Sequence, residues 1–182
     1  MMNLQTKNKI IFLDRDGVIN IDKHYVYKIE DFEFKEKVFE TCIYLRDLGY
    51  EFIILTNQSG IARGYYNKDD FNRLTSWMLK EFEKNGIEIK DVFFCPHLPN
   101  DNCNCRKPKI GMIEQASTKY SIDFEKSWMI GDKISDMQLA INANIKNAVF
   151  VKNSKEKPLE IKALNIKHII SCFDEIKQII KN

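Results

Sequence analysis

The sequence predicts an α/β fold in which a parallel, Rossmann-like sheet lies between two layers of helices. Five short apolar runs rich in β-branched or aromatic residues alternate with four stretches of helical character. Gly49 and Gly86 stand just beyond the first two helical stretches, where glycine commonly ends a helix. Because strand–helix–strand connections are right-handed and place each helix against the sheet, the alternation predicts a three-layer α/β sandwich.

Each element follows from a local pattern of apolar residues. The predicted strands are Ile10–Leu13, Phe52–Leu55, Val92–Phe94, Trp128–Ile130 and Ala148–Val151. The predicted helices are Val38–Leu48, Asp69–Lys84, Met112–Tyr120 and Asp136–Ala143. The tail has a weaker pattern, and there we expect an edge strand at Lys167–Ile170 and a final helix at Phe173–Ile180.

Length, composition and charge restrict the class of protein. The 182 residues, of which 44% are apolar, suit a single domain spanning 1–182 with a filled core. The formal net charge of +2 gives no strong overall field toward nucleic acid or an anionic membrane, so we expect neither as a partner. The polar start MMNLQTKNK lacks the apolar core of a secretory signal, and no apolar run is long enough to span a membrane. We therefore expect a cytoplasmic protein. We also expect a monomer.

Two carboxylates follow the first predicted strand. Asp14 stands at the strand end, Asp16 two residues later, and Gly17 supports a sharp turn. A carboxylate here could attack phosphorus as a nucleophile, while its neighbour protonates the leaving oxygen and later deprotonates water. Turn capping by both aspartates is an equally simple interpretation of this segment alone.

The segment SWMIGDKISDMQLA repeats this arrangement with Asp132 and Asp136. Ligands of doubly wound sheets bind outside the carboxyl ends of the strands, so Asp14, Asp16 and Asp132 are expected to converge. Hard oxygen ligands of this kind suit Mg²⁺. Asp136 has two interpretations, an acidic residue favoured by the helix dipole or a group at or beside the metal.

A polar loop and nearby cations offer a phosphate site. Thr56 ends the second strand, and its hydroxyl together with the following backbone N–H groups could hold phosphoryl oxygens, although turns use the same residue types. Lys107 and Lys133 are the candidate cations for the transferring group. Arg106 offers a planar fork for substrate recognition.

The loop after the third strand has the spacing of a metal site. Cys95, His97, Cys103 and Cys105 form the pattern C-x-H-x5-C-x-C at about 95–105. Three thiolates and one imidazole match a closed tetrahedral Zn²⁺ site, which leaves no position for substrate and is therefore structural. A Cys103–Cys105 disulfide and unconnected cysteines are the alternatives.

Four segments, DRDGVIN, TNQSGIARG, CPHLPNDNCNCRKP and MIGDKISDMQLA, stand in this order between about Ile10 and Lys152. Together they resemble the haloacid dehalogenase (HAD) superfamily and, within it, the D-glycero-D-manno-heptose 1,7-bisphosphate 7-phosphatases. The resemblance implies a magnesium-dependent phosphatase that removes the C7 phosphate through an aspartyl-phosphate, in the synthesis of heptose precursors for lipopolysaccharide or another surface glycan. The chain is too short between Asp14 and Thr56 for a separate cap domain.

The resemblance also implies roles for individual residues. Asp14 becomes the nucleophile, Asp16 the acid/base, and Asp14, the Asp16 carbonyl and Asp132 the magnesium ligands. Thr56 and Lys107 would stabilise the phosphoryl group. The implied substrate-binding residues are Asp22, Lys23, His24, Tyr25, Asn57, Gln58, Ser59, Arg106 and Lys133.

Other functions fit parts of the same pattern. Histidinol-phosphate phosphatases resemble the chain in the first motif and in the compact zinc loop, whereas TNQSGIARGYY and GDKISDMQLA are more similar to the heptose enzymes. A zinc-stabilised, non-catalytic binding protein and a phosphotransferase with an acceptor other than water are further alternatives.

Overall fold

The computed structural model describes residues 7–152 and 158–181, in which six strands form one parallel sheet. The strands are β1 (Ile10–Leu13), β2 (Glu51–Asn57), β3 (Ile89–Cys95), β4 (Trp128–Gly131), β5 (Asn147–Val151) and β6 (His168–Ile170). Their order across the sheet is β3-β2-β1-β4-β5-β6. This confirms the Rossmann-like sheet. Residues 1–6 of the polar start lie outside the described residues.

Helices cover both faces of the sheet. They are α1 (Val38–Asp47), α2 (Lys68–Lys84), α3 (Gly111–Lys119), α4 (Ile134–Asn142), α5 (Pro158–Ala163) and α6 (Ile176–Ile179). Alternate residues of β1 point to opposite faces, so Ile11 and Leu13 pack with α1, α2 and α6, while Ile10 and Phe12 pack with α3, α4 and α5. The three-layer sandwich is thus confirmed.

Capping hydrogen bonds and glycines at the helix ends explain why α1 and α2 could be predicted from sequence. Asn67 accepts a hydrogen bond from Asp70 N (2.9 Å), and Asp70 Oδ2 accepts one from Asn67 N (3.1 Å), which forms a capping box at the start of α2. Beyond the ends of α1 and α2, Gly49 and Gly86 have φ values of +82° and +71°, the left-handed conformation that favours glycine.

The tail differs from the prediction. The single helix expected at Phe173–Ile180 is a 3-10 turn at Phe173–Glu175 followed by the short α6. Glu175 Oε1 accepts hydrogen bonds from Ser171 N and Cys172 N, so this turn is closed by its own side chain. The edge strand is present as β6. Helix α5 was not predicted.

Between Asp14 and Thr56 the chain forms only a short 3-10 turn (Ile29–Asp31), α1 and most of β2, which leaves no inserted cap domain over the strand ends. Within the described ranges, none of the helices combines the length and the apolarity needed to cross a membrane.

Candidate active site

The site lies where the sheet changes direction. From β1 the chain continues into β2 on one side, whereas β4 pairs with β1 on the other side, which makes the β1/β4 boundary the topological switch point. Asp14 follows β1 and donates its backbone N–H to Ile130 O of β4 (3.0 Å). Asp132 follows β4. The convergence that the sequence predicts is therefore a property of strand order.

Three buried carboxylates meet at this boundary. One oxygen from each of Asp14, Asp132 and Asp136 lies within 4.8 Å of the others. Gly17 brings the first loop against this cluster, since a Cβ added there would lie 2.0 Å from Asp132 Oδ2. The backbone oxygen of Asp16 accepts a hydrogen bond from Lys133 Nζ (3.3 Å), so this carbonyl faces the same cluster.

Lys107 joins two of the carboxylates. Its Nζ lies 2.9 Å from Asp14 Oδ1 and 2.6 Å from Asp136 Oδ1, and it donates to Leu55 O (2.8 Å). The lysine side chain is 1% exposed. Asn57 fixes its backbone, because Asn57 Oδ1 accepts from Lys107 N (3.1 Å). A lysine in the loop after β3 is thereby placed beside the residue that follows β1.

Burial and charge set the ionisation of the carboxylates. Burial alone would raise the pKa of Asp14, but the Lys107 and Lys133 ammonium groups outweigh it and hold that pKa below its ordinary value. Burial raises the pKa of Asp132 to about 7; Lys133 opposes this, and the negative charges of Asp14 and Asp136 reinforce it. Burial also raises the pKa of Asp136.

The cluster fits a divalent cation. It holds three carboxylates against two ammonium groups, and the oxygens are hard ligands grouped within reach of one ion. The donor set therefore suits Mg²⁺ better than a soft metal.

Asp136 begins a helix and also belongs to the carboxylate cluster. It lies in the first turn of α4, where Oδ2 accepts a hydrogen bond from Lys133 N (3.0 Å), which is one half of a capping box. Its other oxygen contacts Lys107, and the residue is fully buried. Helix α4 begins at Ile134 rather than at Asp136 because Asp136 is the third helical residue of that box.

The carboxylate of Asp16 is held separately from the cluster. Arg15 donates to it from Nε (3.1 Å, to Oδ2) and from Nη2 (3.0 Å, to Oδ1), Asn20 Nδ2 donates to Oδ1 (3.1 Å), and Gln58 Nε2 donates to Oδ2 (2.9 Å). Arg15 itself is 1% exposed. The sequence analysis missed Arg15; the only signal was its place between the two aspartates.

Thr56 lies on β2 beneath the polar loop. Its Oγ1 accepts a hydrogen bond from Gln58 Nε2 (2.7 Å), and Gln58 Oε1 accepts one from the Tyr66 hydroxyl. Burial raises the pKa of Tyr66 to about 12, so the phenol remains a donor at neutral pH. Tyr66 is a second residue that sequence reasoning did not single out.

An open cavity of about 260 Å³ lies at the strand ends, beside Asp16, Gln58 and Tyr66. Its lining residues are Asp16, Asp22, His24, Tyr25, Asn57, Gln58, Ser59, Tyr66, Arg106, Lys107, Lys133 and Ser135. Most of the residues expected to bind substrate thus share one cavity. His24 and Tyr25 both have positive φ (62° and 51°), a conformation that directs this loop toward the cavity at some backbone cost.

Lys23 is the exception among the expected binding residues. Its ammonium group pairs with Glu33 (3.0 Å) on the exposed surface, and it does not line the cavity. The next two residues, His24 and Tyr25, have positive φ and both line the cavity.

The cysteine–histidine loop forms a compact cluster. Cys95 Sγ lies 3.6 Å from both His97 Nδ1 and Cys103 Sγ, and His97 Nδ1 lies 3.2 Å from Cys105 Sγ. A tetrahedral ion with Zn–S bonds of about 2.3 Å separates two thiolates by roughly 3.7 Å, so the donors fit zinc. None of the five cysteines is in a disulfide. Arg106 follows the cluster, and its Nη1 donates to His97 O (3.3 Å).

Comparison with known proteins agrees with this architecture. Residues 104–176 match the HAD-hydrolase-like protein family. A D-glycero-alpha-D-manno-heptose-1,7-bisphosphate 7-phosphatase of Campylobacter jejuni is 49% identical over 170 residues, which cover 93% of this chain and 98% of that protein. A D-glycero-beta-D-manno-heptose-1,7-bisphosphate 7-phosphatase of Helicobacter pylori is 47% identical, covering 83% of this chain and 88% of that protein.

A solved structure gives the same result at the level of the fold. The D,D-heptose 1,7-bisphosphate phosphatase of B. bronchiseptica, complexed with magnesium and phosphate, superposes with a TM-score of 0.81 at 25% identity, covering 94% of this chain and 99% of that one. The Campylobacter jejuni relative and this structure match 93% and 94% of the chain, respectively. The chain is therefore a phosphatase of the HAD superfamily and belongs to the heptose-1,7-bisphosphate 7-phosphatase family.

Proposed function

We propose that this protein hydrolyses the C7 phosphate of D-glycero-D-manno-heptose 1,7-bisphosphate, with Mg²⁺, through a phosphorylated Asp14. The observation that carries the proposal is the placement of the Asp14 carboxylate. It lies at the switch point of the sheet, beside Asp132 and between the ammonium groups of Lys107 (2.9 Å) and Lys133 (3.6 Å). The names of the relatives supply the substrate class.

Asp14 is suited to attack phosphorus. Its lowered pKa keeps it ionised at neutral pH, so it needs no separate base. The same ammonium groups that lower this pKa can bind the oxygens of the transferring group, whose negative charge they would balance. Thr56 Oγ1 and the backbone of the following loop supply neutral donors on the β2 side.

Magnesium, when bound, would screen the repulsion between the carboxylates and the substrate phosphate. Asp14, Asp132 and the backbone oxygen of Asp16 are the residues that would hold it. The B. bronchiseptica enzyme, described as complexed with magnesium and phosphate, supports magnesium as the ion.

Asp16 is proposed as the acid and base of the two half-reactions. It protonates the leaving oxygen as the bond to phosphorus breaks, and it later accepts a proton from the water that attacks the phosphorylated Asp14. Asp16 lines the cavity, whereas Asp14 is 2% exposed and lies 2.9 Å from Lys107, which lines the same cavity.

Substrate recognition is assigned to the cavity wall. Arg106 provides positive charge for a second phosphate, Lys133 lines the same wall beside Asp14, and Asp22 and His24 offer groups for sugar hydroxyls. The cavity volume of about 260 Å³ suits a small sugar bisphosphate. Lys23 is not included, because it pairs with Glu33 outside the cavity.

Zinc is proposed as a structural ion held by Cys95, His97, Cys103 and Cys105. The loop that these ligands close also carries Arg106 and Lys107, so the ion would fix both cations without contacting substrate. The chain is proposed to act as one domain and as a monomer.

Release of phosphate from both anomers of heptose 1,7-bisphosphate and from histidinol phosphate tests the proposal. We expect magnesium-dependent release from C7, identified by phosphorus NMR, with histidinol phosphate a much poorer substrate. Asp14→Asn should abolish turnover, whereas Asp47→Asn, which changes an exposed carboxylate on α1, should not. Preference for histidinol phosphate, or turnover by Asp14→Asn, would refute it.

A further inference from the structure

Arg15 is an unusual residue for the interior of this protein. It is 1% exposed and is the largest fully buried side chain in the described part of the chain. Burying a guanidinium is costly, and here Nη1 is buried without a hydrogen-bond partner among the described residues, so Arg15 indicates a specific arrangement rather than simple packing. The guanidinium lies over the aromatic ring of Phe71 on α2, with Arg15 Cζ 5.9 Å from the ring centre.

The guanidinium forms a fork on Asp16. Nε and Nη2 donate to the two different carboxylate oxygens, which fixes the plane of the carboxylate as well as its position. Gln58 and Asn20 add one donor each, from the loop after β2 and from the turn after Gly17. A single ammonium group could balance the charge, but it could not impose this orientation.

The same guanidinium also holds the loop that lines the cavity. Arg15 Nη2 donates to Val26 O (2.7 Å), immediately after the segment Asp22–Tyr25. Arg15 therefore connects the carboxylate proposed as the acid and base to the backbone of the substrate loop.

We propose that Arg15 is a positioning residue that orients the Asp16 carboxylate toward the leaving oxygen and couples this orientation to the 22–25 loop. The inference rests on the proposed function, since it assumes that Asp16 is the acid and base. Arg15 touches neither the phosphoryl group nor the sugar. The hydrogen bonds of its guanidinium go to Asp16 and Val26.

The chemistry provides a readout that separates positioning from stability. When Asp14 attacks, a bond to phosphorus forms and the bond to the leaving oxygen breaks, and a sugar alkoxide must receive the Asp16 proton as it leaves. An aryl leaving group such as 4-nitrophenolate departs without that proton. The value of kcat/KM depends only on the steps up to transfer of the phosphoryl group to Asp14, and the leaving oxygen departs in the last of these steps. A misplaced Asp16 therefore lowers kcat/KM for a sugar phosphate, whose leaving oxygen needs the proton. It does not lower kcat/KM for the aryl ester.

Arg15→Lys and Arg15→Gln are the test variants, assayed with heptose 1,7-bisphosphate and with 4-nitrophenyl phosphate. We expect kcat/KM for the sugar phosphate to fall roughly 10- to 100-fold, because a misplaced general acid loses part of its catalytic effect. We expect kcat/KM for the aryl ester to fall less than about 3-fold. An equal fall for both substrates would overturn the inference, because it would show a general structural role.

Arg46→Lys is the matched control. Arg46 also pairs with the next residue, Asp47, although its Nε (2.9 Å) and Nη2 (2.7 Å) both donate to the same oxygen, Oδ1, and it donates to the backbone oxygen of Gly86 (2.7 Å). It lies on α1, away from the cavity. The ratio of the two kcat/KM values should be unchanged in this variant.

Asp16→Asn separates the inference from the proposed function. If this variant is selectively impaired on the sugar phosphate and the Arg15 variants are not, only the inference fails. If Asp16→Asn itself shows no selectivity, the proposed role of Asp16 fails. Should the Arg15 variants not fold, as judged by circular dichroism, Gln58→Met removes another donor to Asp16 while Arg15 stays in place, and the same selectivity is expected; its absence would overturn the inference.

Discussion

Removal of the buried ammonium group of Lys107 should destabilise the protein strongly. In Lys107→Met the hydrocarbon stem is retained, while Asp14 Oδ1 and Asp136 Oδ1 lose a partner at 2.9 Å and 2.6 Å. All three side chains are at most 2% exposed, so water cannot replace the lost partner without opening the site. Breaking a buried pair in this way costs about 3–5 kcal/mol, which is a large part of the stability of a typical domain.

The pH dependence of this loss has a defined sign. In the wild type, Lys107 helps to hold the pKa of Asp14 below 3.8, so this stabilisation is present above that pH and is lost as the pH falls through the lowered pKa. In the variant, burial without Lys107 penalises the ionised carboxylates, and the penalty disappears once they are protonated. The difference in unfolding free energy should therefore be largest near about pH 7 and shrink toward about pH 4.

Urea denaturation of both proteins, without added magnesium, measures this difference. Lys119→Met is the control, because Lys119 Nζ lies 2.7 Å from Asp91 Oδ2 in a pair of nearly the same length whose lysine is 57% exposed. That variant should lose only a small fraction of the stability that Lys107→Met loses. A loss below about 1 kcal/mol for Lys107→Met, or a loss that grows as the pH falls, would refute the reasoning.

Three further predictions concern the metal sites and the turn beside them. Gly17→Ala should destabilise the protein and impair catalysis, because φ at Gly17 is +94° and the added Cβ would lie 2.0 Å from Asp132 Oδ2. The melting temperature and kcat of the variant measure these effects, and wild-type values of both would contradict the prediction. Cys105→Ser should lower both the zinc content by elemental analysis and the melting temperature, whereas Cys172→Ser, at an exposed cysteine outside the cluster, should change neither. Burial raises the pKa of Asp132 to about 7, and magnesium binds the deprotonated carboxylate. The increase in melting temperature that magnesium causes should therefore become larger as the pH rises from about 6 to 8. An increase that stays constant or becomes smaller would contradict this prediction.

Elements buried on both faces were predictable from sequence. Strand β1 is fully buried along its length, so it appears as an uninterrupted apolar run with an aspartate directly after it. The parallel order of such strands places their carboxyl ends together, which is why the proximity of Asp14 and Asp132 could be expected without a structure. The grouping of Cys95, His97, Cys103 and Cys105 was predictable because these residues are close in sequence.

Contacts that depend on three-dimensional packing were not predictable. Nothing in the sequence distinguishes the buried Arg15 from a surface arginine, because its environment is supplied by Phe71, Val26 and Gln58 from separate segments. Both Lys23 and His24 were expected to bind substrate, but only His24 lines the cavity, because the folding of this loop is not evident from the sequence pattern. The tail was predicted least well, since its short 3-10 turn and helix have little periodicity.

Trapping of the covalent intermediate tests the central claim, that Asp14 is the nucleophile. Asp16→Asn, mixed with substrate and magnesium and quenched with borohydride, should contain homoserine in place of a phosphorylated aspartate. Trypsin cleavage after Lys9 and Arg15 releases the peptide IIFLDR, in which Asp14 is the only carboxylate side chain. Our account predicts homoserine in this peptide when substrate is present and not in its absence. Homoserine at another aspartate, or none in a variant that still releases the leaving group, would contradict it.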